Sequence, residues 1–88
     1  MIEHREIFIN GRWLPSTATD TLPVINPATE EIIATVPRGT PEDVGRAAEA
    51  AAAAFEGWSQ TSVEERVALF DRMGRLTVAR SADITQAI

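Results

Sequence analysis

Cysteine is absent from this 88-residue chain, so disulfides, thiolate catalysis and cysteine-ligated metals are excluded from it. Lysine is absent too: the eight basic residues are all arginine, outnumbered by thirteen acids to a net charge of −5. A chain with that balance and no basic stripe does not suit a phosphate backbone, so no nucleic-acid partner is expected. There is a single histidine, His4. Proton shuttles and metal sites need partners at set spacing, and His4 has none, so it reads as a solvated residue near the chain start. Long apolar runs are missing as well. Ala50–Phe55 is too short and too rich in alanine to cross a bilayer, and Glu3, His4, Arg5 and Glu6 interrupt any leader-like stretch. The expectation is a cytoplasmic protein without a membrane segment.

What is present reads as folded. Hydrophobic residues make up 44 % and charged ones 24 %, an ordinary globular balance that argues against disorder. The length allows one modest domain with a thin core, since a chain of this size buries only about 60 to 65 % of its unfolded surface.

Residues 6–37 carry two hairpin signals. The first is Ile7-Phe8-Ile9-Asn10-Gly11-Arg12-Trp13, where Asn-Gly suits a type I′ turn with positive φ at both central positions. Ile7 and Ile9 share one face and Phe8 takes the other. After the polar connector 15–21, Leu22–Ile25 and Ile32–Val36 read as strands around an Asn26-Pro27-Ala28-Thr29 turn. Asn26 caps that turn through its side chain, and Pro27 presets φ.

Helices are predicted over 41–57 and 63–80. Thr40-Pro41-Glu42-Asp43 supplies an N-cap, a proline at the first helical position and acids in the first turn. Val44, Ala47, Ala48, Ala51 and Phe55 form a narrow apolar stripe, Glu42 and Arg46 are spaced to pair, and Gly57 with the following Ser59-Gln60-Thr61 is read as the stop. Ser62-Val63-Glu64-Glu65 is a capping box that opens a second helix with a wider stripe, Val67, Leu69, Phe70, Met73 and Leu76. Ser81-Ala82-Asp83 either kinks this helix or starts a third. No stop signal is written at Ile88, so the chain reads as cut in mid-pattern.

No motif with intrinsic chemistry appears. The five glycines never take the spacing of a phosphate loop. Glu30-Glu31 and Glu64-Glu65 are adjacent in sequence and point apart, as a solvated turn and a helix cap. Trp13 and Trp58 read as packing residues rather than ligand platforms. The arginines of the second helix read as a solvated or interface surface.

Taken in order, these segments resemble the start of the aldehyde dehydrogenase superfamily. Ile7–Trp13 is similar to its first hairpin. Asn26-Pro27-Ala28-Thr29-Glu30-Glu31-Ile32-Ile33 is similar to its Asn-Pro-Ala-Thr-Gly-Glu turn and next strand, with Glu30 where glycine is usual. Val44–Trp58 is similar to its alanine-rich helix ending in Phe-x-x-Trp, and Ser62–Leu76 to the helix that follows.

The resemblance implies an α/β parent of Rossmann type. Residues 1–88 would be the amino-terminal part of its cofactor-binding domain, as two short β-hairpins followed by two or three helices. It further implies an NAD- or NADP-dependent oxidoreductase that converts an aldehyde to a carboxylic acid through a cysteine thiohemiacetal, and a homo-oligomer. The partner of this segment would be the rest of that polypeptide. In the family the nucleophile, base and nucleotide-binding residues lie beyond the matched region, so no catalytic or cofactor-binding residue carries over and the chain alone is expected to be inactive. One position does carry over: the backbone carbonyl of Ile25, before the Asn-Pro turn, as a ligand of a monovalent cation. The competing reading is a small self-associating interaction module without enzymatic activity.

Overall fold

The structure, a computed structural model, describes every residue from Met1 to Ile88 and divides into two units, Met1–Phe55 and Glu56–Ile88.

The first unit opens with β1 (Ile2–Glu3), followed by β2 (Glu6–Ile9) and β3 (Arg12–Pro15). β2 and β3 form an antiparallel hairpin in which Phe8 faces Trp13 and Ile9 faces Arg12. Asn10 and Gly11 take φ of 54° and 75°, the type I′ geometry that matches the twist of the flanking strands. Ile9 is 8 % exposed and is the one buried apolar side chain in the chain, with Ile7 half-buried beside it. The opposite face carries Phe8 and Trp13 in an edge-to-face pair, ring centroids 5.3 Å apart. Both rings are more than half exposed, so Trp13 clamps its own hairpin rather than filling a core.

A second sheet adds β4 (Thr21–Ile25) and β5 (Ile32–Pro37), in the order β1-β5-β4. β4 and β5 are the second expected hairpin. β1 is an addition to the predicted elements. It is two residues long and pairs parallel with β5, Ile2 opposite Ala34 and Glu3 opposite Thr35, a contact that no local pattern encodes. Pro23 sits in β4, an edge strand, where its missing N–H interrupts no ladder.

The turn joining β4 to β5 has the expected Asn26 cap, Oδ1 accepting from the Ala28 amide at 2.9 Å. It closes with Glu30 donating its amide to the Asn26 carbonyl at 2.7 Å. Glu30 has φ of 63°, a left-handed conformation that glycine adopts freely and glutamate does not. The turn therefore holds its shape against the preference of the residue at its end.

Helix α1 runs Pro41–Ser59, two residues past Gly57. Gly57 lacks positive φ and does not terminate it; the helix ends where Gln60 and Thr61 donate back to the Gly57 and Trp58 carbonyls at 3.3 and 3.1 Å. Its covered face is also not the apolar stripe. Asp43, Arg46 and Ala50 are the buried or half-buried positions, one helical face at spacings of three and four, whereas Val44 and Phe55 stand open, Phe55 at 69 %.

The second unit is helical, with α2 at Val63–Ala79 and α3 at Ser81–Ala87. The Ser62–Glu65 capping box is complete in both directions. Arg80, at φ −108° and ψ 21°, breaks the helical run and caps both neighbours, so the Ser81 segment is a third helix rather than a kink. No residue of this unit is buried. The apolar stripe of α2 is open, with Val67 61 % and Phe70 64 % exposed.

Candidate functional site

The one buried polar side chain is Asp43, 4 % exposed, in the first turn of α1. Its Oδ1 accepts from the Thr17 amide and hydroxyl, both at 3.0 Å, and from Arg46 Nη2 at 2.8 Å. Its Oδ2 accepts from the Ser16 hydroxyl and the Thr40 amide, the latter at 3.3 Å. The Asp43 amide in turn donates to Thr40 Oγ1 at 3.1 Å, so Thr40 and Asp43 cap each other. Arg46 also donates to the Pro15 carbonyl at 3.1 Å, while its buried Nε has no acceptor in this chain. The cluster thus ties the β3–β4 connector to the start of α1 across 27 residues of sequence.

These donors stabilise the charged form. The Ser16 hydroxyl, then the Thr17 amide, Arg46 and the Thr40 amide hold the Asp43 carboxyl far below the ordinary 3.8, against the opposing pull of burial. A carboxylate so weakly basic cannot take a proton near neutral pH, and its oxygens are already shared among five donors. It is a latch, not a base or a metal ligand. The sequence marks Asp43 only as a first-turn acid and spaces Arg46 to pair with Glu42; the structure pairs Arg46 with Asp43 instead. The Thr-x-x-Asp spacing from Thr40 was the available signal.

An open groove of about 370 Å³ lies beside this latch, lined among others by Glu3, His4, Arg5 and Asp20. Its charges are of both signs, and the Ser16 hydroxyl at its wall is committed to Asp43. Ile25, the position expected to offer a carbonyl to a cation, ends β4 at a register break between Val24 and Ile25, and is 53 % exposed.

A helix N-terminus is where a nucleotide phosphate binds, which makes the starts of the two longer helices the places to look for one. At α1 a phosphate would meet Glu42 and Asp43, with the Thr40 and Asp43 amides already bonded. At α2 it would meet Glu64 and Glu65, with the Ser62 and Glu65 amides held in the capping box. The residues present do not fit a dinucleotide.

In the second unit, the Arg66 guanidinium lies over the Trp58 ring, 4.9 Å from its centroid. Arg66, on the surface read from sequence as solvated or an interface, is half-buried against its own turn.

Comparison with known proteins gives this geometry a context. The profile of the "Aldehyde dehydrogenase family" matches residues 13–88. Two Staphylococcus aureus proteins with provisional aldehyde dehydrogenase names are similar over all 88 residues, at 44 % identity for strain bovine RF122 / ET3-1 and 43 % for strain USA300. A crystal structure of aldehyde dehydrogenase from Bartonella henselae superposes on 98 % of the chain with a TM-score of 0.90 and 34 % identity. The chain spans 18 % of the length of each of these relatives. It corresponds to their amino-terminal segment. By sequence and by fold, the chain belongs to the aldehyde dehydrogenase family.

Proposed function

We propose that these residues are scaffold of the cofactor-binding domain of an NAD(P)-dependent aldehyde dehydrogenase, a cytoplasmic homo-oligomer that oxidises an aldehyde to a carboxylic acid. The observation that carries the reading is the superposition on an aldehyde dehydrogenase over 98 % of the chain, by a segment with no cysteine to act as nucleophile. The acidic, internally capped helix starts leave no phosphate cradle here, so cofactor binding and hydride transfer belong to the remaining polypeptide. The partner of this segment is that polypeptide, and the open stripes on α1 and α2 are the surfaces it covers. The Ile25 carbonyl, at the register break of β4, is proposed as one ligand of a monovalent cation in the assembled enzyme, because carbonyl oxygens suit hard cations.

Fragment complementation tests this. A relative truncated to lack the equivalent segment is mixed or co-expressed with the 88-residue chain, and NAD(P) reduction is followed with a panel of aldehydes. Neither piece alone is expected to turn over, and the pair is expected to regain activity. Turnover by the chain alone overturns the scaffold role. Failure of the pair, together with a self-associated chain in sedimentation, favours the interaction module instead.

A further inference from the structure

We infer that Arg66 is a strap that fixes the turn between the end of α1 and the start of α2 from within, so this connection keeps a set geometry without any buried core. No residue in Glu56–Ile88 is buried, so the turn is held by hydrogen bonds and by the cover of one ring rather than by a core.

The strap has three attachments. Arg66 Nε donates to Thr61 Oγ1 at 2.8 Å, Nη2 donates to the Trp58 carbonyl at 2.9 Å, and the guanidinium plane covers the Trp58 ring. Thr61 relays the contact: its hydroxyl accepts from Arg66 and donates to the Trp58 carbonyl at 2.8 Å, while its amide donates to that same carbonyl at 3.1 Å. The Trp58 carbonyl, near the end of α1, thereby gathers three donors.

Electrostatics explain the choice of residue. α1 has no base in its last turn, so the negative end of its dipole lacks a cation on its own helix. Arg66, one turn into α2, supplies it from across the connection. Arginine alone among the side chains offers a planar fork for two oxygens and a flat cation for an indole face. The strap acts on residues 58–66 whatever later covers the helix faces.

The test uses the full 88-residue chain carrying Trp13→Phe, so that Trp58 is its only indole. Amide hydrogen exchange at Thr61 and Trp58 fluorescence are compared in Arg66→Lys, Arg66→Met and Thr61→Val, with the Glu65 amide as internal control for the capping box. In the parent, the Thr61 amide is expected to exchange more slowly than a free peptide. All three variants are expected to speed it by about tenfold, the size of ~1.4 kcal/mol, while Glu65 protection stays within twofold. Both Arg66 variants are also expected to shift Trp58 emission. Free-peptide exchange at Thr61 in the parent overturns the strap, because the turn would then be unformed. Full protection in Arg66→Lys overturns it by showing that charge alone suffices, and an unchanged Arg66→Met overturns it outright. Should both Arg66 variants lose Glu65 protection as well, Thr61→Val decides, since it removes only the relay.

Discussion

Residues Met1–Phe55 withdraw one apolar and one charged side chain from water, Ile9 and Asp43, whereas Glu56–Ile88 withdraws none. The first unit is cross-linked over long sequence distances: β1 finds β5 some thirty residues on, and Asp43 reaches back 27 residues to Ser16. In the second, the longest-range hydrogen bond spans only the eight residues between Trp58 and Arg66. Both rely on a charged side chain that collects polar partners at a helix end. They differ in what that costs to lose. Asp43 is a buried acceptor facing five donors, so its loss strands several groups at once. The second unit has no such concentration. Its apolar face of Val67, Leu69, Phe70, Met73 and Leu76 remains open, although burying side chains of this size contributes about 1.5–3 kcal/mol each. A segment built this way keeps local shape, and on the proposed scaffold role its main stabilisation comes from the remaining polypeptide.

Each unit has one tryptophan, Trp13 in the first and Trp58 in the second, so Trp→Phe variants report on the units separately. The largest effect is expected from Asp43→Asn, read by Trp13 fluorescence during urea unfolding in a Trp58→Phe chain. An amide in that position turns two N–H donors toward groups that are themselves donors, so the first unit loses most of its resistance to urea while the second is unchanged. The same variant fixes the pH dependence. A carboxylate whose folded pKa is depressed contributes stability that is present above its unfolded value and is lost as pH falls toward the folded one. The parent is therefore expected to weaken progressively below the ordinary 3.8, and the Asp43→Asn chain lacks this contribution. Equal loss in both units would show that they unfold as one cooperative body.

Ser62→Ala is the matching perturbation of the second unit and is smaller. It removes the acceptor for the Glu65 amide and is expected to cost α2 about 1 kcal/mol, seen as a lower urea midpoint by Trp58 in a Trp13→Phe chain. The first unit should not respond. A response there, with Trp13 as the reporter, would again merge the units.

How much of this could be read in advance follows the same division between local and distant. The Asn10-Gly11 turn, the Asn26 cap, the Thr40 start and the Ser62 capping box are each written within four residues, and each is present. The Asp43 cluster and β1 depend on partners far along the chain, which no short window contains. The stripes on α1 and α2 were legible as apolar, and their periodicity is real. Periodicity identifies a face that prefers cover but not where the cover comes from, and in this chain Asp43, Arg46 and Ala50 occupy the covered side of α1 instead. Arg66 was legible only as a base on a helix. Its role needs the position of the Trp58 carbonyl, which depends on α1 running past Gly57.

The smallest effect separates a turn from the residue that ends it. Glu30 holds φ of 63°, where a residue with a Cβ meets its own carbonyl at a cost of about 1–2 kcal/mol. Glycine removes that clash but gains freedom in the unfolded chain, an offset of about 0.5–1 kcal/mol. Glu30→Gly is therefore expected to stabilise the first unit by roughly 0.5–1 kcal/mol, with an unchanged denaturant slope and a later midpoint by Trp13 fluorescence. The bond from the Glu30 amide to the Asn26 carbonyl involves only backbone and survives the change. Destabilisation would mean that the Glu30 side chain contributes more than its strain removes, and the turn would then have to be reread as held by that carboxylate rather than in spite of it.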